Sequence, residues 1–200
     1  LDLRDAEPLR LFTNKELPTG TYTGVRLLFD PDQEQSRVTT SAGDTRLRLA
    51  AGTFAAVSFT VEDEKESREE FTLMLDLRQS LSFDEANDRY TLTPVLRSVR
   101  TEDAARVEGN VAVVCPAGTV LPDRAAIYLY SGRNVQPDDL DGADAEPFAT
   151  TGVIDSGTVA LRYALRFLPA GNFTLAFTCQ GDEEVPGSSE NLEFRNVENV

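Results

Sequence analysis

The sequence predicts an all-β protein built as two antiparallel β-sandwiches in tandem, of immunoglobulin or transthyretin-like type. Three observations predict it. Apolar residues recur at period two in short runs such as "EFTLMLDL" and "NFTLAFTC", the spacing of half-buried strands. Gly, Pro, Asn and Asp separate those runs, as turns between sandwich strands require. No stretch combines a 3.6-residue period with helix caps.

The first element is "LPTGTYTGVRLLF", residues 17–29, whose opening pattern returns in "LPAGNFTLAFTC", residues 168–179. In each copy Pro presets φ for the second position of a tight turn, Gly suits the fourth, and the leading Leu plugs the end of a core. The aromatic-Thr pair then starts a strand. In the first copy Val25, Leu27 and Phe29 share a face with Tyr22 opposite, so a bulge at Gly24 is predicted, which restores Tyr22 to the face of Val25. In the second copy Phe173, Leu175, Phe177 and Cys179 form the core face, and Thr174, Ala176 and Thr178 a half-polar back. Neither copy carries a constant acid, base or nucleophile beyond its Thr residues. The repeat is architecture.

The following strands run from Leu47 and Leu49, then from Phe54 to Val61, then through Phe71, Leu73, Leu75 and Leu77. Between the last two lies "EDEKESREE", residues 62–70, read as a solvated hairpin loop because apolar alternation flanks it. In "RYTLTPVLRSV", residues 89–99, Pro94 predicts an edge strand or a bulge. Charged and small residues interrupt the pattern at 100–106, dividing the chain into domains 1–104 and 105–200. "VEGNVAVVC", "AAIYLYSG", "TVALRYALRF", "NFTLAFTC" and "NLEFRNV" supply the strands of the second.

Composition bounds the function. The chain of 200 residues is 40% hydrophobic and 26% charged, with no run of the 18 or so apolar residues that a membrane-spanning helix needs. It starts at Leu1 rather than Met, and the reading is a fragment or processed product with any signal peptide or lipid anchor lying upstream. The net charge of −15, with Lys15 and Lys65 the sole lysines, repels phosphate backbones and anionic lipid and excludes nucleic-acid binding. Histidine is absent, which removes the usual general base and zinc ligand together with Ser-His and Cys-His pairs. The expectation is no enzyme, no catalytic residue and no cofactor apart from a calcium alternative described below.

The stretches "ELPTGTYTGVRLLFDP", "FTLMLDLRQSLSF" and "YTLTPVLRSV" resemble, in order across residues 16–99, the bacterial family known as domain of unknown function 4382. The resemblance implies a β-sandwich of exported proteins, often lipoproteins, with no assigned activity. Members usually have strands upstream of the matched region, which implies a truncated domain or an edge completed by another chain, hence a homodimer through an open sheet edge. "VEGNV", "AAIYLYSG" and "LPAGNFTLAFT", across 107–178, are similar to carboxypeptidase-regulatory-like and transthyretin-like modules, which implies a non-catalytic accessory or stalk unit.

Two constellations remain. Cys115 and Cys179 both end strands on the core face of the second domain. In an oxidising compartment they bridge a loop of about 65 residues, worth about 4 kcal/mol in the chain-entropy treatment; two buried free thiols are the alternative. "QPDDLDGADAEP", residues 136–147, concentrates Asp138, Asp139, Asp141, Asp144 and Glu146 around Gly142. Closely spaced carboxylates on a loop are what Ca²⁺ requires, with Asp139, Asp141 and Asp144 as candidate ligands. Aligning Gly142 as an EF-hand glycine places Pro137 and Phe148 at the end ligand positions, which disqualifies that motif. A solvated loop is the competing reading. Tyr128 and Tyr130 share a strand face, as a sugar-stacking pair or as packing.

The functional expectation is a non-catalytic module of the bacterial cell envelope, in the periplasm or on the cell surface, structural or binding. Its partner is an envelope protein or polysaccharide, and membrane attachment runs only through an upstream lipid. A carbohydrate or envelope-polymer binder, calcium-stabilised, is the first alternative. A hydrolase using paired carboxylates is the second.

Overall fold

The computed structural model describes residues 9–26, 28, 36–50, 54–63, 68–111, 115, 124–155 and 161–200. It is nearly all β, in several antiparallel sheets, as the period-two pattern predicts.

In the first half, β1 (Gly20–Arg26) pairs with β4 (Phe54–Val61), while β5 (Phe71–Asp76) pairs with β8 (Val95–Arg100). β2 (Arg37–Thr40), β3 (Gly43–Leu49), β6 (Leu81–Asp84) and β7 (Arg89–Leu92) form a sheet of order β2-β3-β7-β6. One pairing in it departs from the antiparallel expectation: β3 and β7 run parallel. They are joined through β4, β5 and β6, a connection long enough for the crossover that parallel strands need.

The bulge predicted in the first motif is present one residue early and on the partner strand. Tyr22 pairs with Phe59 and Gly24 with Ala56, so Val57 and Ser58 together face the single residue Thr23. Tyr22 stacks on Phe59 with centroids 5.1 Å apart. Its hydroxyl donates to the Pro18 carbonyl at 2.8 Å, which holds the proline bend against the strand it starts. Leu17 is 38% exposed, so the plugging role assigned to the first motif's leucine belongs to Leu168 alone, at 1%.

Two other expectations are corrected. Pro94 lies neither at an edge nor in a bulge; it separates β7 from β8, which belong to different sheets. Without an N–H it continues neither ladder, and the Ser80 carbonyl and hydroxyl accept the flanking Thr93 and Val95 amides at 2.7 and 2.9 Å. The strand through Leu77 instead stops at Asp76, where a one-turn helix α1 (Leu77–Ser80) begins. Residues 62–70 do not close a hairpin, since β4 and β5 pair with β1 and β8 rather than with each other; residues 64–67 lie outside the described residues.

In the second half, β9 (Ala105–Val111), β12 (Ile154–Asp155) and β13 (Leu161–Leu168) form a sheet of order β12-β13-β9. β10 (Ala126–Ser131), β11 (Ala149–Gly152), β14 (Phe173–Thr178) and β15 (Phe194–Asn199) form another, of order β11-β10-β14-β15. Between them Ile127, Leu129, Leu165, Leu168, Phe173, Leu175 and Phe177 make the main core. Each such side chain is worth about 1.5–3 kcal/mol when taken fully out of water. Cys115 and Cys179 are disulfide-bonded at the margin of this core, with Cα atoms 5.9 Å apart and a sequence separation of 64. Residues 112–114, expected to lead a strand into Cys115, lie outside the described residues.

All six residues of β14 are buried, where a half-polar back was expected. The back is covered by the chain itself. Ala126, Tyr128, Tyr130, Leu140 and Ala176 form a second core there, with Val135, Ala145, Leu192 and Phe194 packed against it. Thr174 keeps its place in that layer by donating to the Gly132 carbonyl at 2.9 Å and accepting from the Val135 amide at 3.1 Å.

Among the described residues, Asp76, Arg78 and Arg97 of the first half reach the second. Asp76, 6% exposed, accepts from the Gln79 amide at 3.2 Å as the cap of α1. Its two carboxylate oxygens also accept from the Thr150 amide at 2.8 Å and the Thr150 hydroxyl at 2.9 Å on β11. Arg78 donates to the Gly181 carbonyl. Arg97 lies over the Phe148 ring, 5.2 Å from its centroid, and donates to the Phe167 carbonyl at 3.5 Å. Phe167 sits at a bulge of β13 with φ 55°, a left-handed conformation in which a bulky residue is strained.

Candidate functional site

The acidic loop between β10 and β11 is drawn onto the sheet by two anchors. Tyr130, at 1% exposure, donates its hydroxyl to the Asp138 carbonyl and accepts from the Asp138 amide at 3.2 Å. Leu140 inserts into the outer core, and its neighbour Asp139 goes under with it, to 2% exposure.

A remote segment clasps the loop from the other side. The Leu140 amide donates to Glu184 Oε1 at 3.2 Å, and the Gly187 amide donates to the Leu140 carbonyl at 2.6 Å. Tyr128 donates to Glu184 Oε2 at 2.7 Å, and the Glu190 amide donates to Asp139 Oδ2 at 2.7 Å. Asp139 Oδ1 is buried with no hydrogen-bond partner. A buried carboxylate oxygen without a donor is costly, so it is the atom of this site that most needs a ligand.

Of the candidate ligands Asp139, Asp141 and Asp144, the structure brings together the first two, and Asp138 rather than Asp144 completes the group. One carboxylate oxygen from each of Asp138, Asp139 and Asp141 lies within 4.8 Å of the others. Asp144 is exposed, beyond Gly142 at φ 86°, and itself has φ 42°. Asp141 Oδ1 accepts from the Ala143 amide at 2.7 Å and Glu146 Oε1 from the Gly142 amide at 2.6 Å, which shape the turn.

The local field is negative throughout. Burial first, then the charges of Asp139, Asp141 and Asp144, push the Asp138 carboxyl above its usual range, against the hydrogen bond of the Asp139 amide. Glu146 is raised by burial and by Asp141, Asp138 and Asp139. Glu184 is raised by burial and by Glu190 and Asp139, although Tyr128 and the Leu140 amide favour its charged form. Among the described residues no ion pair reaches any of these carboxylates. The donor set is hard oxygen only, which suits Ca²⁺ or Mg²⁺ and not a metal seeking nitrogen or sulfur.

The sequence reading missed Glu184 and Glu190. Their segment, "GDEEVPGSSENLE", is acidic and turn-rich, but nothing local says that it folds back over Leu140. Tyr128 and Tyr130 prove to be core residues, both under 2% exposed. A separate hollow of about 300 Å³ is lined by Arg68, Glu69, Glu70, Arg100, Thr101 and Glu102. Its Glu69 and Glu102 are both ion-paired to Arg100.

Among the described residues no helix is long and apolar enough to cross a membrane. The family described as Domain of unknown function (DUF4382) matches residues 1–94. No curated protein and no solved structure matches the chain, and the similarity of residues 107–178 to carboxypeptidase-regulatory-like modules has no counterpart in these comparisons. Over its first 94 residues the chain is therefore similar to that family of unknown function, and the match ends at Pro94, before the disulfide and the acidic cluster.

Proposed function

We propose that the chain is a non-catalytic structural module of an exported protein of the bacterial cell envelope, holding neighbouring segments or partners in place. The observation that carries this reading is the Cys115–Cys179 disulfide at the margin of the main core. Such bonds form and persist in oxidising compartments and are rare in the cytosol. Two features support it. The central sheet spends both faces on internal packing, including the tyrosines that a sugar platform would use. The second half also resembles accessory sandwich modules.

The test is subcellular fractionation of the native host with rapid thiol trapping. The reading expects the chain in the envelope fraction, with both cysteines resistant to alkylation until reduced. A cytosolic chain with two alkylatable cysteines would overturn it.

A further inference from the structure

We infer that Asp138, Asp139 and Asp141 form a Ca²⁺ site which locks the loop between β10 and β11 to the segment around Glu184 and Glu190. Two independent observations carry it. The first is convergence: one oxygen from each aspartate lies within 4.8 Å of the others, and two oxygens on opposite sides of a calcium ion stand about 4.6–5.2 Å apart. The second is the state of Asp139, which is 2% exposed while its Oδ1 has no hydrogen-bond partner. A carboxylate is drawn into the interior at a cost that some cation or donor offsets, and no protein cation among the described residues pairs with it.

The rest of the surroundings fit a ligand of this kind. Asp138 and Asp141 are half-buried, so the site opens to solvent on one side, where water completes the six to eight oxygens calcium takes. The ligands come from one short loop, and a flexible loop accommodates calcium more readily than the strict octahedron of Mg²⁺. Because Asp139 Oδ2 already accepts from Glu190, an ion on the same carboxylate fixes both segments that cover Tyr128 and Tyr130. The site is independent of the cellular location proposed above.

The experiment uses the full chain, stripped of divalent ions, with calcium chloride as the probe in titration calorimetry and thermal melts. The expected dissociation constant is about 10⁻⁴–10⁻³ M, the range of extracellular modules, and 5 mM Ca²⁺ raises the melting temperature by about 5 °C. Asp138→Asn/Asp141→Asn, both half-buried positions, weakens binding at least about tenfold while the ion-free melt stays near wild type. Asp139→Asn does the same if it folds. The charge-matched variant Glu102→Gln/Asp103→Asn, in the turn before β9, binds as wild type. Absence of heat and of any melting shift in the wild type overturns the site. So does equal binding by the loop double variant, or equal loss in the charge-matched one. An equal response to magnesium chloride overturns the assignment to Ca²⁺.

Discussion

Asp76 is the residue on which the contact between the two halves of the chain most depends, and its removal tests that statement. Four donors converge on its carboxylate: the Gln79 amide at 3.2 Å, Gln79 Nε2 at 3.0 Å, the Thr150 amide at 2.8 Å and the Thr150 hydroxyl at 2.9 Å. Asp76→Ala deletes a helix cap, worth about 1 kcal/mol. It also deletes two hydrogen bonds from Thr150 to a charged group, worth about 1.5–3 kcal/mol each when taken singly. Arg97, which burial disfavours as a cation and Asp76 stabilises, loses its partner. These contributions share groups and do not add in full, so the expected loss is about 4 kcal/mol. Asp76→Asn, which keeps the shape and one acceptor, loses about half as much. The assay is urea unfolding with the disulfide intact. A cycle with Thr150→Val is expected to show a coupling of about 2 kcal/mol. A loss below about 1 kcal/mol for Asp76→Ala, or additivity with Thr150→Val, would refute the argument.

Three further predictions follow from the packing and electrostatics. Gly181→Ala places a Cβ 2.6 Å from Ala126 Cβ and 3.1 Å from the Arg124 carbonyl, so overpacking costs about 2 kcal/mol in a thermal melt; an unchanged melt would show that the turn relaxes freely. Cys115→Ala/Cys179→Ala loses about 2–4 kcal/mol of stability, and dithiothreitol lowers the wild-type melt without affecting the variant. Glu184, held above its ordinary value of 4.5, keeps its proton to higher pH in the folded chain than in the unfolded one. Its contribution is therefore fully present below that ordinary value and is lost as pH rises through the folded one. In calcium-free buffer the stability of wild type relative to Glu184→Gln falls as pH rises above the ordinary value of 4.5; a difference that rises instead would contradict the sign.

Period-two alternation made the second half legible: β10, β13 and β14 lie where "AAIYLYSG", "TVALRYALRF" and "NFTLAFTC" placed them. The cysteine pairing was legible for the same reason, because both residues end runs on the core face. Partner choice was not. Nothing in residues 62–70 tells β4 to pair with β1 and β5 with β8, since those ladders depend on segments far away in sequence. Leu77 continued the alternation perfectly, yet Asp76 overrode it by capping a helical turn and bonding Thr150, 74 residues on. The acidic loop was visible from its density of carboxylates. Which of them converge was decided by Leu140, whose burial takes Asp139 inward, and by the Glu184–Glu190 segment, neither of which local pattern reveals.

The outer core has a kinetic consequence. Its floor, Tyr128, Tyr130 and Ala176, comes from β10 and β14, but its cover comes from residues 135–145 and again from Leu192 and Phe194 near the end of the chain. Loop-closure entropy must be overcome before such distant contacts contribute, so this face closes late and folding is slow relative to a helical chain of equal size. Until Phe194 arrives against Tyr128, where their centroids finally lie 5.2 Å apart, a strip of aromatic surface stands open to any other nascent sheet. β15 thus closes a surface that would otherwise be open to self-association while the chain folds, a consequence separate from what it contributes once folded.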